Sequence, residues 1–182
     1  GGRGGSGQAA ARALRTEEIS TARFKLTVEY DGTDFAGFQY QADQRTIQGV
    51  LEEAIGNLSS GSSRVAGAGR TDAGVHALGQ VVSFDCTTTI PVERMAPALN
   101  GVLPSDVRVV RSEVVDGRFH ARFSAKSRTY LYVMLNRPAA SALTRRYAWH
   151  VREPLDVEKM RQGAESLMGE QDFAAWVNGV AE

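Results

Sequence analysis

Between Phe24 and Tyr30 apolar and polar positions alternate, with Phe24, Leu26, Val28 and Tyr30 set against Lys25, Thr27 and Glu29. A period of two puts each set on its own face of an extended chain, so the segment predicts a half-buried strand. Asp31-Gly32 closes it with a turn signal. The period then changes. Ile47, Val50, Leu51, Ala54, Ile55 and Leu58 recur at helical spacing, with Thr46 placed to cap them. Ser59–Ser63 is a polar loop, Arg64–Ala68 a short strand, and Gly79–Phe84 the next strand. Pro91 opens a helix over Pro91–Val102, which Pro97 is expected to kink or shorten. Val107–Val115 reads as a strand. In Ser127–Leu135, Thr129, Leu131 and Val133 alternate with Tyr130, Tyr132 and Met134. Both sides are largely apolar or aromatic, which predicts a strand covered on both faces or lining a cleft. Pro154–Met168 predicts a further amphipathic helix on Val157, Met160, Ala164, Leu167 and Met168, capped by Asp156 and ended by Gly169. Helices between antiparallel-compatible strands imply an α+β fold.

Composition adds bounds. A chain of 182 residues with 42% apolar content can bury a core as one domain, or one and a fraction. No apolar run approaches the ~20 residues that span a bilayer. The single cysteine, Cys86, rules out an internal disulfide framework and a cysteine-based zinc cluster. It reads as a half-buried residue at a strand end. No secretory pattern is present, and a reducing cytoplasmic location is expected. Gly1–Ser20 is rich in Gly, Ala and Arg without apolar periodicity and is expected to be a disordered arm.

Net charge is zero, but its distribution is not even. Between Arg108 and Arg152 ten arginine and lysine residues face only Glu113 and Asp116, a local net of +8. Such polarity lets one face bind phosphates while the chain stays neutral overall; a solvated arginine surface would give the same count.

The densest chemistry lies in Gly67–Phe84, GAGRTDAGVHALGQVVSF. Asp72 follows an arginine and a threonine and sits between glycine-bearing turns, ahead of a period-two strand. Glycines allow tight geometry there, and a loop on a rigid scaffold keeps a carboxylate open to substrate. No Ser/His/Asp set or metal spacing accompanies it, so the segment points to an acid working alone, as nucleophile or base.

GRTDAGVHALGQVVSF closely resembles the signature of the TruA family of tRNA pseudouridine synthases. Four other segments share the resemblance: YDGTDFAGFQYQ (Tyr30–Gln41), LNGVLPSDVRV (Leu99–Val109), FHARFSAKSRTYLYVMLN (Phe119–Asn136) and LMGEQDFAAW (Leu167–Trp176). The match runs from Phe24 to Trp176. It implies a ferredoxin-like half, an antiparallel sheet with helices packed on one face, joined to a similar second half. The expected organisation is an arm over 1–22, a catalytic half over 23–136 and the start of a second, truncated half over 137–182. The resemblance also implies isomerisation of uridine in the tRNA anticodon arm, no cofactor and no metal, a homodimer, and no membrane association.

Residue by residue, the resemblance makes Asp72 the catalytic carboxylate. Arg70 takes the place of the base a flipped uridine vacates; its planar guanidinium can stack and bind phosphate together. Tyr130 packs against the flipped base, where stacking is worth roughly 1–3 kcal/mol. Arg122 and Arg128 are expected to bind substrate, and His120 and Arg122 to shape the cleft or contact phosphate. His76 reads as a structural hydrogen-bonding residue, Asp31 and Asp34 as loop organisers, and Tyr132 as a core residue. Family chains continue well past this one, with further strands and a basic residue that pairs with the catalytic acid; nothing after Glu182 supplies these, and the chain is expected to be poorly active alone.

Two other classes compete. A dinucleotide-binding enzyme would explain the G-x-G of GAGRTDAG, but Asp72 occupies its third glycine and a strand follows where a helix is required. A non-catalytic RNA-binding half-synthase would keep the basic face without turnover; the aromatic motif of the common RNA-recognition domain is absent.

Overall fold

The computed structural model describes residues 20–174. The N-terminal arm up to residue 19, and Trp176 of the last motif, lie outside the described residues. The chain divides into two compact units, one ending at Arg128 and one beginning at Thr129.

The first unit contains β1 (Ser20–Tyr30), α1 (Ile47–Gly56), β2 (Ala66–Gly67), β3 (Ala77–Thr88), α2 (Val92–Val102) and β4 (Val107–Val115). The four strands form one sheet in the order β2-β3-β1-β4, with β1 antiparallel to both neighbours and β2 antiparallel to β3. This is the βαββαβ arrangement of a ferredoxin-like unit. β1 begins at Ser20, ahead of the boundary read from the sequence, and pairs with β3 from Ser20↔Thr88 onward.

The alternation in β1 builds the core. Phe24, Leu26, Val28 and Tyr30 are buried against Val82, Phe84 and Cys86 of β3, Val107 and Val109 of β4, Ile47, Leu51 and Ile55 of α1, and Met95 and Leu99 of α2. Phe24 and Phe84, register partners, stack with ring centroids 5.6 Å apart. Each such side chain contributes about 1.5–3 kcal/mol on full burial. Thr46 caps α1 by accepting the Gly49 N–H at 3.2 Å. Pro97 lies inside α2, which nevertheless runs its expected length. Asn100 of α2 then acts as a substitute strand neighbour for the edge strand β4: its amide nitrogen donates to Val109 O (2.9 Å) and its oxygen accepts the Val109 N–H (2.8 Å).

A strap from Phe119 to Arg128 leaves β4 and is tied to the side chains between the core positions. Arg23 of β1 donates to Phe119 O at 2.8 Å, and the Ala121 N–H donates to the buried Ser83 hydroxyl of β3 at 3.0 Å. Arg128 then reaches the residues after β2, donating twice to Ala68 O.

The second unit holds β5 (Met134–Asn136), β6 (Trp149–Val151) and α3 (Val157–Glu165). β5 and β6 pair in parallel, with Leu135 opposite His150. Asp156 caps α3 through the Lys159 N–H at 3.0 Å. The strand expected over Ser127–Leu135 forms only at its end, Met134–Asn136. Trp149 N–H meets Val133 O at 2.8 Å, but among the described residues no strand pairs with the residues before it, and extended backbone without a ladder partner is not a sheet strand. Tyr130, Leu131 and Tyr132, expected to be covered or to line a cleft, are exposed, and Tyr132 is not the core residue that the sequence implies. No residue of α3 is buried.

Candidate active site

Asp72 lies on the loop between β2 and β3, and its position is set by backbone. Thr71 O accepts the Phe38 N–H at 2.9 Å, Phe35 O accepts the Gly74 N–H at 3.3 Å, and Asp72 O accepts the Val75 N–H at 3.2 Å. Tyr30 and Thr71 join their hydroxyls at 2.8 Å. The loop after β1, residues 31–38, is therefore the seat of the Asp72 loop. Its glycines explain the close fit. A Cβ on Gly32 would fall 2.0 Å from Val75 O. Gly37 has φ +109°, and a Cβ there would sit 2.9 Å from Thr71 O, so only glycine combines that backbone with that approach.

The seat is itself fixed. Ala36 N–H donates to Arg45 O, Gln48 N–H to Phe38 O, and Asp31 N–H to Asp106 O, each at 2.9 Å. Arg45 makes a two-pronged ion pair with Asp106 at 2.8 and 2.9 Å and lies 3.9 Å over the Phe35 ring. The Asp106 hydrogen bond holds the Arg45 guanidinium above its ordinary value. Asp31 Oδ1 accepts from Thr33 N–H (3.0 Å) and its hydroxyl (2.6 Å), organising the turn. His76 Nδ1 accepts the Gly32 N–H at 3.1 Å, a structural bond between seat and loop; Asp31 Oδ1 lies at the same distance from that nitrogen. Asp34 is exposed and contributes to the field at Arg45.

Among the described residues the Asp72 carboxylate has no hydrogen-bond or ion-pair partner, and it is exposed. Arg70, on the same loop, is likewise exposed and its guanidinium has no partner among them. Arg128 touches the loop at its base through Ala68 O. Arg122 sits on the strap's turn, 5.9 Å from the Phe123 ring, with its N–H donated to His120 Nδ1. Tyr130 belongs to the second unit and is 64% exposed. Asp72 and Arg70 thus share one loop, whose base Arg128 reaches from the end of the strap, while Arg122 lies on the strap's turn. No group of three His, Cys, Asp or Glu that could hold a metal occurs among the described residues. Tyr30, Thr71, Gly32 and Gly37 fix the acid through backbone approach and one hydroxyl–hydroxyl bond; only the glycine pattern of the first motif hinted at them.

Fold and site together define a ferredoxin-like α+β unit that presents one acid on an anchored loop. The family model for tRNA pseudouridine synthase matches residues 26–124. The chain belongs to that family. It is 48% identical over 161 residues to tRNA pseudouridine synthase A of Halalkalibacterium halodurans, covering 88% of this chain and 61% of that protein. The proteins of the same name from Thermoanaerobacter sp. and Brevibacillus brevis are each 46% identical, over 83% and 85% of this chain and 62% and 63% of theirs. The chain therefore spans a little over three fifths of the length of these relatives.

Proposed function

We propose that this chain carries the catalytic half of a tRNA pseudouridine synthase, with Asp72 as the reacting carboxylate and a uridine of the anticodon arm as substrate. The observation that supports this most directly is the Asp72 carboxylate itself: exposed, unpartnered among the described residues, and held by a loop whose backbone is bonded at Thr71 and Gly74. The reaction is an isomerisation. The bond from the ribose to the base nitrogen breaks, a bond from the ribose to a base carbon forms, the carbon loses its proton and the nitrogen gains one. Nothing is oxidised or reduced, so an acid and a cleft suffice. Asp72 can act by attacking the ribose or the base, or by promoting loss of the base and later removing a sugar proton.

Arg70 then props the space the flipped base leaves, and Tyr130 stacks on that base. Arg122 contacts phosphate. The reading includes a homodimer in the cytoplasm, consistent with bacterial relatives named for action on tRNA. The test is Asp72→Asn in the full chain, assayed on tRNA labelled in uridine. Loss of product with tRNA affinity kept within a few-fold supports the assignment; appreciable turnover by the variant refutes it. A binding-only half-synthase is favoured by one observation, the uncovered aromatic segment Tyr130–Tyr132; tight tRNA binding without turnover that persists when the chain is extended to the length of its relatives would establish it.

A further inference from the structure

We infer that Arg128 is a positioning residue that locks the base of the Asp72 loop, and not a ligand of RNA phosphate. The inference rests on the reading of Asp72 as the reacting acid. The guanidinium places two donors on one acceptor: Nε at 3.1 Å and Nη2 at 2.5 Å from Ala68 O. Its stem crosses Gly69 so closely that a Cβ there would lie 3.0 Å from Nε and 3.3 Å from Cδ. The residue it grips is held by the preceding peptide too, because the Ala68 N–H donates to Val81 O of β3 at 2.8 Å. Gly69 O accepts from Gln80 Nε2 at 2.8 Å. Residues 68 and 69, four and three places before Asp72, are thereby fastened from both the sheet and the strap.

The strap makes this grip rigid. It is pinned at Phe119 by Arg23 and at Ala121 by Ser83 before it delivers Arg128. Lysine could not replace the fork, since an ammonium is a point donor on a flexible stem. Arg70 and Arg122 provide the contrast: all three arginines are exposed, but neither of these two guanidiniums has a hydrogen-bond acceptor among the described residues, which is the state expected of a side chain waiting for phosphate. Arg128 also stands two residues before Tyr130, so the same strap that seats the acid loop leads directly into the segment proposed to hold the base. A displacement of about 1 Å at a reacting group costs up to a hundredfold in rate, which sets the scale of what the grip protects.

The experiment uses the full chain as Arg128→Ala and Arg128→Lys, with Arg70→Ala alongside. Turnover on tRNA, the salt dependence of tRNA affinity, and amide exchange at Phe38, Gly74 and Val75 are measured. The inference expects kcat to fall by about ten- to a hundredfold in both Arg128 variants, exchange at those three amides to rise, and the salt slope to match the unaltered chain. A salt slope lowered by about 0.7–0.9, the signature of one lost phosphate contact, with unchanged exchange would overturn it. So would unchanged exchange with unchanged turnover. Faster exchange spread evenly over β1 and β3 would make Arg128 a general stabiliser and also overturn it. If Asp72→Asn keeps the turnover of the unaltered chain, the proposed function fails by itself, and the exchange and salt data still decide the role of Arg128.

Discussion

The hydroxyls of Tyr30 and Thr71 lie 2.8 Å apart, joining the last residue of β1 to the residue immediately before Asp72. Tyr30 is 2% exposed, so its ring is fixed in the core and its oxygen serves as a stationary post. Tyr30→Phe keeps the packing and removes the post. The expected loss of stability is about 0.5–1.5 kcal/mol, the net worth of one hydrogen bond, readable by urea denaturation. Turnover should fall by more than stability explains, with tRNA affinity unchanged, because the variant loosens the acid without touching the side chains proposed to bind phosphate. Unchanged turnover would show that the backbone bonds at Phe38 and Gly74 hold the loop unaided.

Gly37 and Gly101 give opposite expectations for the same substitution. Gly37→Ala forces a Cβ into a φ of +109° and to 2.9 Å from Thr71 O. Strain of that kind costs about 1–3 kcal/mol and falls on the residue adjoining Asp72. At Gly101, inside α2, a Cβ meets nothing within 4 Å, so alanine should stabilise by about 0.5–1 kcal/mol. Denaturation midpoints that shift in the same direction for both variants would contradict the assigned backbone roles.

How far the molecule was legible in its sequence follows from which interactions are local. The β1 alternation, the helical spacing of α1 and its Thr46 cap are properties of neighbouring residues, and the structure has them as read. The closing loop signal Asp31-Gly32 was read as a turn, which it is; that the same loop seats Asp72 was not visible, because the contact joins residues about 40 apart and leaves no periodic trace. Arg128 shows the same limit. Its position in a basic stretch points to substrate, and nothing in the sequence shows that its guanidinium also bonds the backbone carbonyl of Ala68, an acceptor that any residue there would supply. The 127–135 strand failed for a different reason: side-chain alternation predicts extended backbone, but a strand also needs a neighbour, and in this chain only Met134–Asn136 finds one.

Cys86 provides a pH test with a definite sign. Burial pushes its thiol up from the ordinary value of 9.0, with a smaller opposing contribution from a Ser59 hydrogen bond. The folded pKa therefore exceeds the unfolded one. The associated stability is whole below about pH 9 and is lost as pH rises toward the folded value, since the unfolded chain can release the proton more easily. Between pH 8 and 10 the denaturation midpoint of the unaltered chain should fall more steeply than that of Cys86→Ala, which lacks the group. Parallel slopes would mean that the thiol titrates alike in both states. Native labelling by iodoacetamide should also be slow, because the residue is 3% exposed.

The second unit bears on behaviour in solution. Tyr132 is 83% exposed, Leu143 88% and Trp149 69%. Among the described residues its sheet is one parallel pair of three-residue strands, and α3 turns its apolar positions Val157 and Met160 to solvent. Two short strands are marginal as an independent sheet, and large exposed apolar surface draws partners. The chain of residues 1–182 is therefore expected to self-associate, its mass by size-exclusion chromatography with light scattering rising with concentration. Leu131→Ser combined with Leu143→Ser should shift it toward the monomer without altering the melting of the first unit, whose core contains neither residue. A constant dimer mass at every concentration would instead match the proposed homodimer and leave these side chains with a specific interface. A monomer at all concentrations would show that this surface is tolerated in water, and would remove the physical case for a covering partner.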